Sequence, residues 1–357
     1  MTNKFLKLAL CLCIVAFSSC SSDDDVSGPI AITIEGASIT PEVGGPNQQN
    51  QVYIDLSTNT TTVIQRDTWD LGFYSGSDFR VTINGSIEMA AAELSATTQE
   101  VIDLQPIAKV GIFSTANLPF VDAFDGDING TAISEISATN SENKVYLVNL
   151  GSEVGTETPA TGSVALKGDE RGWKKIRVLL DGDNYVLQYA DLDATTHEEI
   201  TISKSSEYNF TYFSLDTESL VNVEPTSENW DLNFTTFTDE VFAGPDSYGA
   251  YFYGDFVTSN RNANVSIYAI NTDENTELTY DNFTVSDILT TNFSIDQRTI
   301  GSSWRNGGGP STLPTLKENM FYIISDANGN FYKLKFIALT NADGKRGYPE
   351  FVYSLLQ

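Results

Sequence analysis

One strand pattern occurs twice in this chain, and it limits the fold more than any other feature. The first copy is Thr68-Trp69-Asp70-Leu71-Gly72-Phe73 and the second is Asn229-Trp230-Asp231-Leu232-Asn233-Phe234. Trp, Leu and Phe stand on alternate residues in both, so as a strand they share one face, with Asp on the other. A repeated half-buried strand implies two copies of one β module.

The neighbouring segments repeat in the same order. Tyr53 in Val52–Leu56 corresponds to Tyr212 in Thr211–Leu215, and Trp69 corresponds to Trp230. The run Asn143-Lys144-Val145-Tyr146-Leu147 corresponds to Asn319-Met320-Phe321-Tyr322-Ile323, and Trp173–Leu179 to Phe331–Ile337. The offsets are 159, 161, 176 and 158, so the second copy carries about fifteen extra residues before its Asn-Met-Phe-Tyr block. Insertions of this kind are expected in surface loops. The expected class is all-β, two tandem antiparallel modules over residues 49–203 and 204–357. Phe, Tyr, Thr and Val suit strands, and Asp181-Gly182-Asp183-Asn184 and Asp326-Ala327-Asn328-Gly329 read as hairpin turns. Glu88–Glu93, with Met89 and three Ala, is one of the few segments that reads as helical.

The first residues read as an export signal over 1–19. Lys4 and Lys7 precede an apolar run, Leu8 to Phe17, that is too short to span a bilayer. Phe17-Ser18-Ser19-Cys20 resembles a bacterial lipobox, so Cys20 is the expected lipidation site and acyl chains its expected anchor in the outer membrane. With Cys11 and Cys13 removed in the signal, no disulfide remains, and stability must come from the cores. Ser21-Ser22-Asp23-Asp24-Asp25 resembles a surface-export signal, which points to the cell surface; a plain acidic tether is the other reading. Residues 20–48 read as that flexible tether, with a short strand expected within Ile30–Ile39.

Charge removes one class of partner. Asp and Glu outnumber Lys and Arg by 48 to 20, a net charge of −28, where nucleic acid needs a basic footprint. Catalytic motifs are missing too. The chain has a single His, His197, in a polar run, with no His-Glu-x-x-His and no Gly-x-Ser-x-Gly. Asp70 and Asp231 read as hydrogen-bonding groups on the polar face of their strands. No enzyme is expected. Asp125-Gly126-Asp127-Ile128-Asn129-Gly130 fits the start of a Ca²⁺ loop but lacks Glu at the twelfth position, so a plain turn is preferred and no metal is assigned. Tyr251 and Tyr253, within Tyr248–Phe256, would line one strand face together with Asp255 and suit a flat ligand or sugar ring; the other reading is core packing.

Taken in order, Tyr53-Ile54-Asp55-Leu56-Ser57, the Trp-Asp-Leu-x-Phe strand, Arg80-Val81-Thr82-Ile83-Asn84-Gly85, Asn143–Leu147 and the closing Tyr strand resemble the HmuY-type haem-binding lipoproteins of Bacteroidetes. The resemblance implies an all-β fold and a surface lipoprotein that captures haem, or a related tetrapyrrole, and passes it to a TonB-dependent receptor. It also implies two axial His or Met side chains from loops after the Trp-Asp strand. This sequence departs there: the candidates are Met89, Met320 and His197, and no module holds a His/His or Met/Met pair. The alternative is a non-catalytic glycan- or protein-binding module with Tyr251 and Tyr253 in its contact face.

Overall fold

The computed structural model describes residues 36–357, apart from 96–97, 275–276 and 309–311. The export signal, Cys20 and Asp23–Asp25 lie outside the described residues. All named strand pairs are antiparallel, as expected, and they build two β-sandwiches. One sandwich packs the four strands Ser219–Val221, Phe210–Ser214, Leu71–Tyr74 and Val81–Ile83 against five from Glu198–Ser203 to Ala90–Leu94. The other packs Thr60–Gln65, Asn50–Asp55, Leu232–Ala243, Asp246–Ser259 and Gly111–Ile112 against a sheet that holds Ala37–Ile39, Arg346–Leu356, Phe331–Thr340, Met320–Ser325 and Ser266–Asn271.

The two halves of the sequence exchange hairpins. The first hairpin, Asn50–Asp55 with Thr60–Gln65, pairs with the second Trp-Asp-Leu strand: Ile54 opposes Leu232 and Val52 opposes Phe234. The second hairpin, Phe210–Ser214 with Ser219–Val221, pairs with the first: Phe213 opposes Leu71 and Tyr212 opposes Gly72. Each core is therefore mixed. Phe213 and Leu215 pack with Leu71, Phe73, Tyr185 and Leu187, while Val52, Ile54 and Leu56 pack with Leu232, Phe234, Tyr332 and Phe351.

Connection length accounts for the exchange. Within a hairpin sheet, the strand beside Asn50–Asp55 runs parallel to Thr60–Gln65. A chain leaving Gln65 could occupy that place only by crossing over the sheet, which takes about a dozen residues or more. Only residues 66–70 separate Gln65 from Leu71, and only 222–231 separate Val221 from Leu232. The equivalent strand of the other half reaches the place without a crossover.

The exchange also buries the two Asp of the repeat, which are not on a polar face as expected. Asp70 is 0% and Asp231 3% exposed. Asp70 Oδ2 accepts from the Leu215 amide at 2.6 Å, and Asp231 Oδ2 accepts from the Leu56 amide at 2.8 Å. Each carboxylate thus ties its strand to the hairpin borrowed from the other half.

Three local expectations are corrected. The tether does not extend to residue 48: Ala37–Ile39 pairs with Arg346–Leu356, Ile39 and Val43 enter a core, and Gln48 hydrogen-bonds Asp255. The segment read as helical instead forms the strand Ala90–Leu94 on Val145–Asn149, because its small Ala side chains let Ala250 and Val121 pack closely over it, and pairing overrides propensity. The fifteen extra residues are not a loop. Asn84 follows Trp69 by 15 residues and Asn260 follows Trp230 by 30, and the difference lengthens the Leu232–Ala243 and Asp246–Ser259 hairpin into an arm. The arm crosses the first half, where Gly249 and Ala250 pair with Gly111–Ile112 and Phe252 lies 5.5 Å from the Arg66 guanidinium.

Candidate functional site

The Trp of each repeat does not join the Leu and Phe core. Trp69 and Trp230 gather with Tyr53, Tyr212 and Val223 where the halves meet. Trp69 packs edge-on to Tyr212 at 4.8 Å, and Trp230 edge-on to Tyr53 at 5.0 Å, so each Trp meets the hairpin Tyr of the other half. Two buried Asn hold the following turns in place. The amide of Asn84 donates to the carbonyls of Arg66 and Trp69, both at 2.7 Å. Asn260 repeats the clamp on Ser227 at 2.7 Å and Trp230 at 3.0 Å. These clamps set the turns Gly85–Ile87 and Arg261–Ala263 on either side of one cavity.

The cavity has a volume of about 170 Å³ and is lined by both halves: Tyr53, Trp69, Met89 and Asp122 among others from one, Tyr212, Glu224, Trp230 and Asn233 among others from the second. Its polar groups are not equivalent across the junction. The Trp69 indole donates to Gln51 Oε1 at 2.9 Å. The residue equivalent to Gln51 is Phe210, which has no acceptor to offer, and the Trp230 indole N–H has no partner. Asn233 Oδ1 and Ser259 Oγ are also without partners, and both residues line the cavity. Their equivalents in the first half are Gly72 and Ile83. Buried polar atoms without partners are costly and uncommon.

Among the described residues, three carboxyl groups line the cavity: Glu224, Asp122 and Asp127. Glu224 accepts from the Phe210 amide at 2.9 Å, and burial pushes its carboxyl up to about 8 against the lowering effect of that bond and of the Tyr212 hydroxyl. Asp122 accepts from the Ile83 and Ala132 amides, both at 2.8 Å, and burial pushes it up to about 7. Arg261 also lines the cavity, 3.6 Å from Asp125 and 4.0 Å from Asp127. The Asp125–Gly130 run is a turn in which Asp127 Oδ1 accepts from the Asn129 amide, and its carboxylates already face a cation.

Of the three residues named for iron, only Met89 lines the cavity, and it is fully buried. Met320 is half-buried at the start of its strand, and His197 is exposed with Nε2 4.0 Å from Glu199. Tyr251 and Tyr253 do share a face of the arm, with rings 4.7 Å apart; Tyr251 is 42% exposed and Tyr253 half-buried. Asp255 leaves that face. It sits at a bulge with φ of 48°, buried between Arg346 and Arg305. Trp230, Asn233, Ser259 and Glu224 were not anticipated. The substitution of Phe210 for Gln51 is the one sequence signal that could have exposed the unpartnered indole.

This geometry defines a tandem β-sandwich protein with a cavity shared by its halves. The HmuY protein family matches residues 47–191 and again 206–353, and the chain belongs to that family. It is a family of binding proteins. No curated protein matches the chain. Among solved structures, it is similar to a protein from Bacteroides vulgatus described as HmuY-like and heme binding, at 9% identity over 91% of this chain and 94% of that one, with a TM-score of 0.22. It is also similar to a protein from Bacteroides fragilis described as a lipoprotein, at 11% identity over the same shares, with a TM-score of 0.24.

Proposed function

We propose that the chain is a non-catalytic binding protein, anchored in the outer membrane through lipidated Cys20 and presented at the cell surface, that captures a ligand for uptake through a TonB-dependent receptor. Membership of both halves in one binding-protein family carries this reading. The acidic run after Cys20 supports the surface placement.

Haem or a related tetrapyrrole is the ligand that the family puts first. The side chains fit it only in part. Met89 lines the cavity but is fully buried, Met320 and His197 lie outside it, and about 170 Å³ is close to the ~150 Å³ that accommodates a benzene ring, well short of a macrocycle. Haemin held by this chain is therefore expected to sit outside this cavity and to lack the spectrum of a bis-histidine or bis-methionine iron. Titration of the purified chain, repeated on Met89→Ala, tests this. Saturable binding with a shifted Soret band is expected, and the absence of both in either redox state would sink the haem reading.

The arm favours a second reading, a glycan or a partner protein bound at Tyr251 and Tyr253. Phe242, Tyr248 and Tyr251 on the arm are exposed, and Phe113 lies 6.0 Å from Tyr248. A glycan array or a pulldown in which Tyr251→Ala behaves like the parent would remove it.

A further inference from the structure

Among the described residues, three that line the junction cavity carry a buried polar atom without a partner. Trp230 is 8%, Asn233 7% and Ser259 3% exposed, so water in the bulk solvent does not serve them. Trp230 stands just before the Leu232–Ala243 strand, Asn233 lies within it, and Ser259 ends the strand paired with it, so all three come from one end of the second half's hairpin. The indole requires an acceptor, the Asn233 carbonyl requires a donor, and the Ser259 hydroxyl takes either. Around them stand Tyr53, Trp69 and Tyr212, whose rings suit a flat partner.

We propose that this cavity binds a small, uncharged, planar ring that carries both a hydrogen-bond acceptor and a donor, as cyclic amides and pyrimidine bases do. The volume takes one ring, given that a cavity of about 150 Å³ takes benzene. An anion is disfavoured, because the one Lys or Arg among the described lining residues, Arg261, is already beside Asp125 and Asp127. A cation is disfavoured because Asp122 and Glu224 are engaged by backbone amides, burial raises both carboxyls, and Asp127 already faces Arg261 at 4.0 Å. The site is composite: Tyr53 and Trp69 come from one half, Trp230 and Asn233 from the other. It is absent from the symmetry-related corner, where Gln51 satisfies Trp69 and Gly72 and Ile83 carry no polar side chain.

Calorimetric titration of the purified chain with uracil tests the proposal. One-to-one saturable binding is expected. Binding of 1,3-dimethyluracil, which keeps the acceptors and lacks both donors, is expected to be about tenfold weaker or less, as is uracil binding to Trp230→Phe and to Asn233→Gly. The ligand comparison on the parent chain stands even if a variant fails to fold. Absence of saturable uracil binding would overturn the proposal. So would dimethyluracil or benzene binding as tightly as uracil, or folded Trp230→Phe binding like the parent. The haemin titration is independent of this result, because a macrocycle does not enter a one-ring cavity.

Discussion

Glu224→Gln should change how stability depends on pH, and the direction follows from burial. The Glu224 carboxyl rises from an ordinary 4.5 to about 8 in the folded chain. Below about 4.5 it is protonated whether the chain is folded or unfolded, and it costs nothing. Between about 4.5 and 8 unfolding releases a proton, so stability falls as pH rises; above about 8 the loss is complete. A gap of about 3.5 pH units at roughly 1.4 kcal/mol each sets the full loss on the order of 4–5 kcal/mol. From about pH 5.5 to 8, roughly 3 kcal/mol of that falls in the accessible range. The amide side chain of the variant can still accept from the Phe210 amide but has no proton to lose. Urea denaturation of parent and variant at both pH values gives the comparison. Asp122, raised by the same cause, and Asp231, raised well above its usual range by burial, add slopes common to both chains and cancel in the difference. The variant should be close to the parent at low pH and gain on it steadily toward pH 8. Parallel curves would refute the reasoning, since they would mean that Glu224 ionises freely in the fold.

The two buried Asp of the repeat should respond differently to amidation. Asp70 also holds Arg171 at 2.6 Å, with both side chains buried, so Asp70→Asn should cost about 3 kcal/mol or more in urea denaturation. Asp231 has no such cation among the described residues, and Asp231→Asn keeps an acceptor for the Leu56 amide, so it should cost under about 1 kcal/mol. Tyr251→Ser, at an exposed position on the arm, should shift stability by no more than about 0.5 kcal/mol while abolishing any glycan contact made there.

Much of the architecture is legible in the residues. The Leu71 and Phe73 alternation and its copy at Leu232 and Phe234 do mark equivalent strands, and the order of the blocks does mark two modules of one family. Hairpin partners are not legible from alternation, because Ile54 and Leu56 present apolar teeth at the same places as Phe213 and Leu215. The five residues between Gln65 and Leu71 hold the missing information, since they are too few for a crossover. The role of the two Trp is hidden for the same reason: a period of two assigns Trp69 to the face of Leu71, whereas the residue stands just before the strand and turns to Tyr212 of the other half. The cavity depends on that exchange, so its unpartnered groups could not be found from either module alone. Glu224 lies in the connection between hairpin and strand, outside any repeat block, and nothing in its sequence neighbourhood distinguishes it from the other acids.

Cysteine cross-linking tests the exchange most directly. In the structure Phe210 and Tyr74 are Cα partners across the exchanged sheet, and Gln51 holds the place in the first hairpin that Phe210 holds in the second. In a Cys20→Ser background, Phe210→Cys with Tyr74→Cys should form a disulfide within a monomer on mild oxidation, and Gln51→Cys with Tyr74→Cys should form none. A disulfide in the second pair and none in the first would place each hairpin on its own half and contradict the shared cavity.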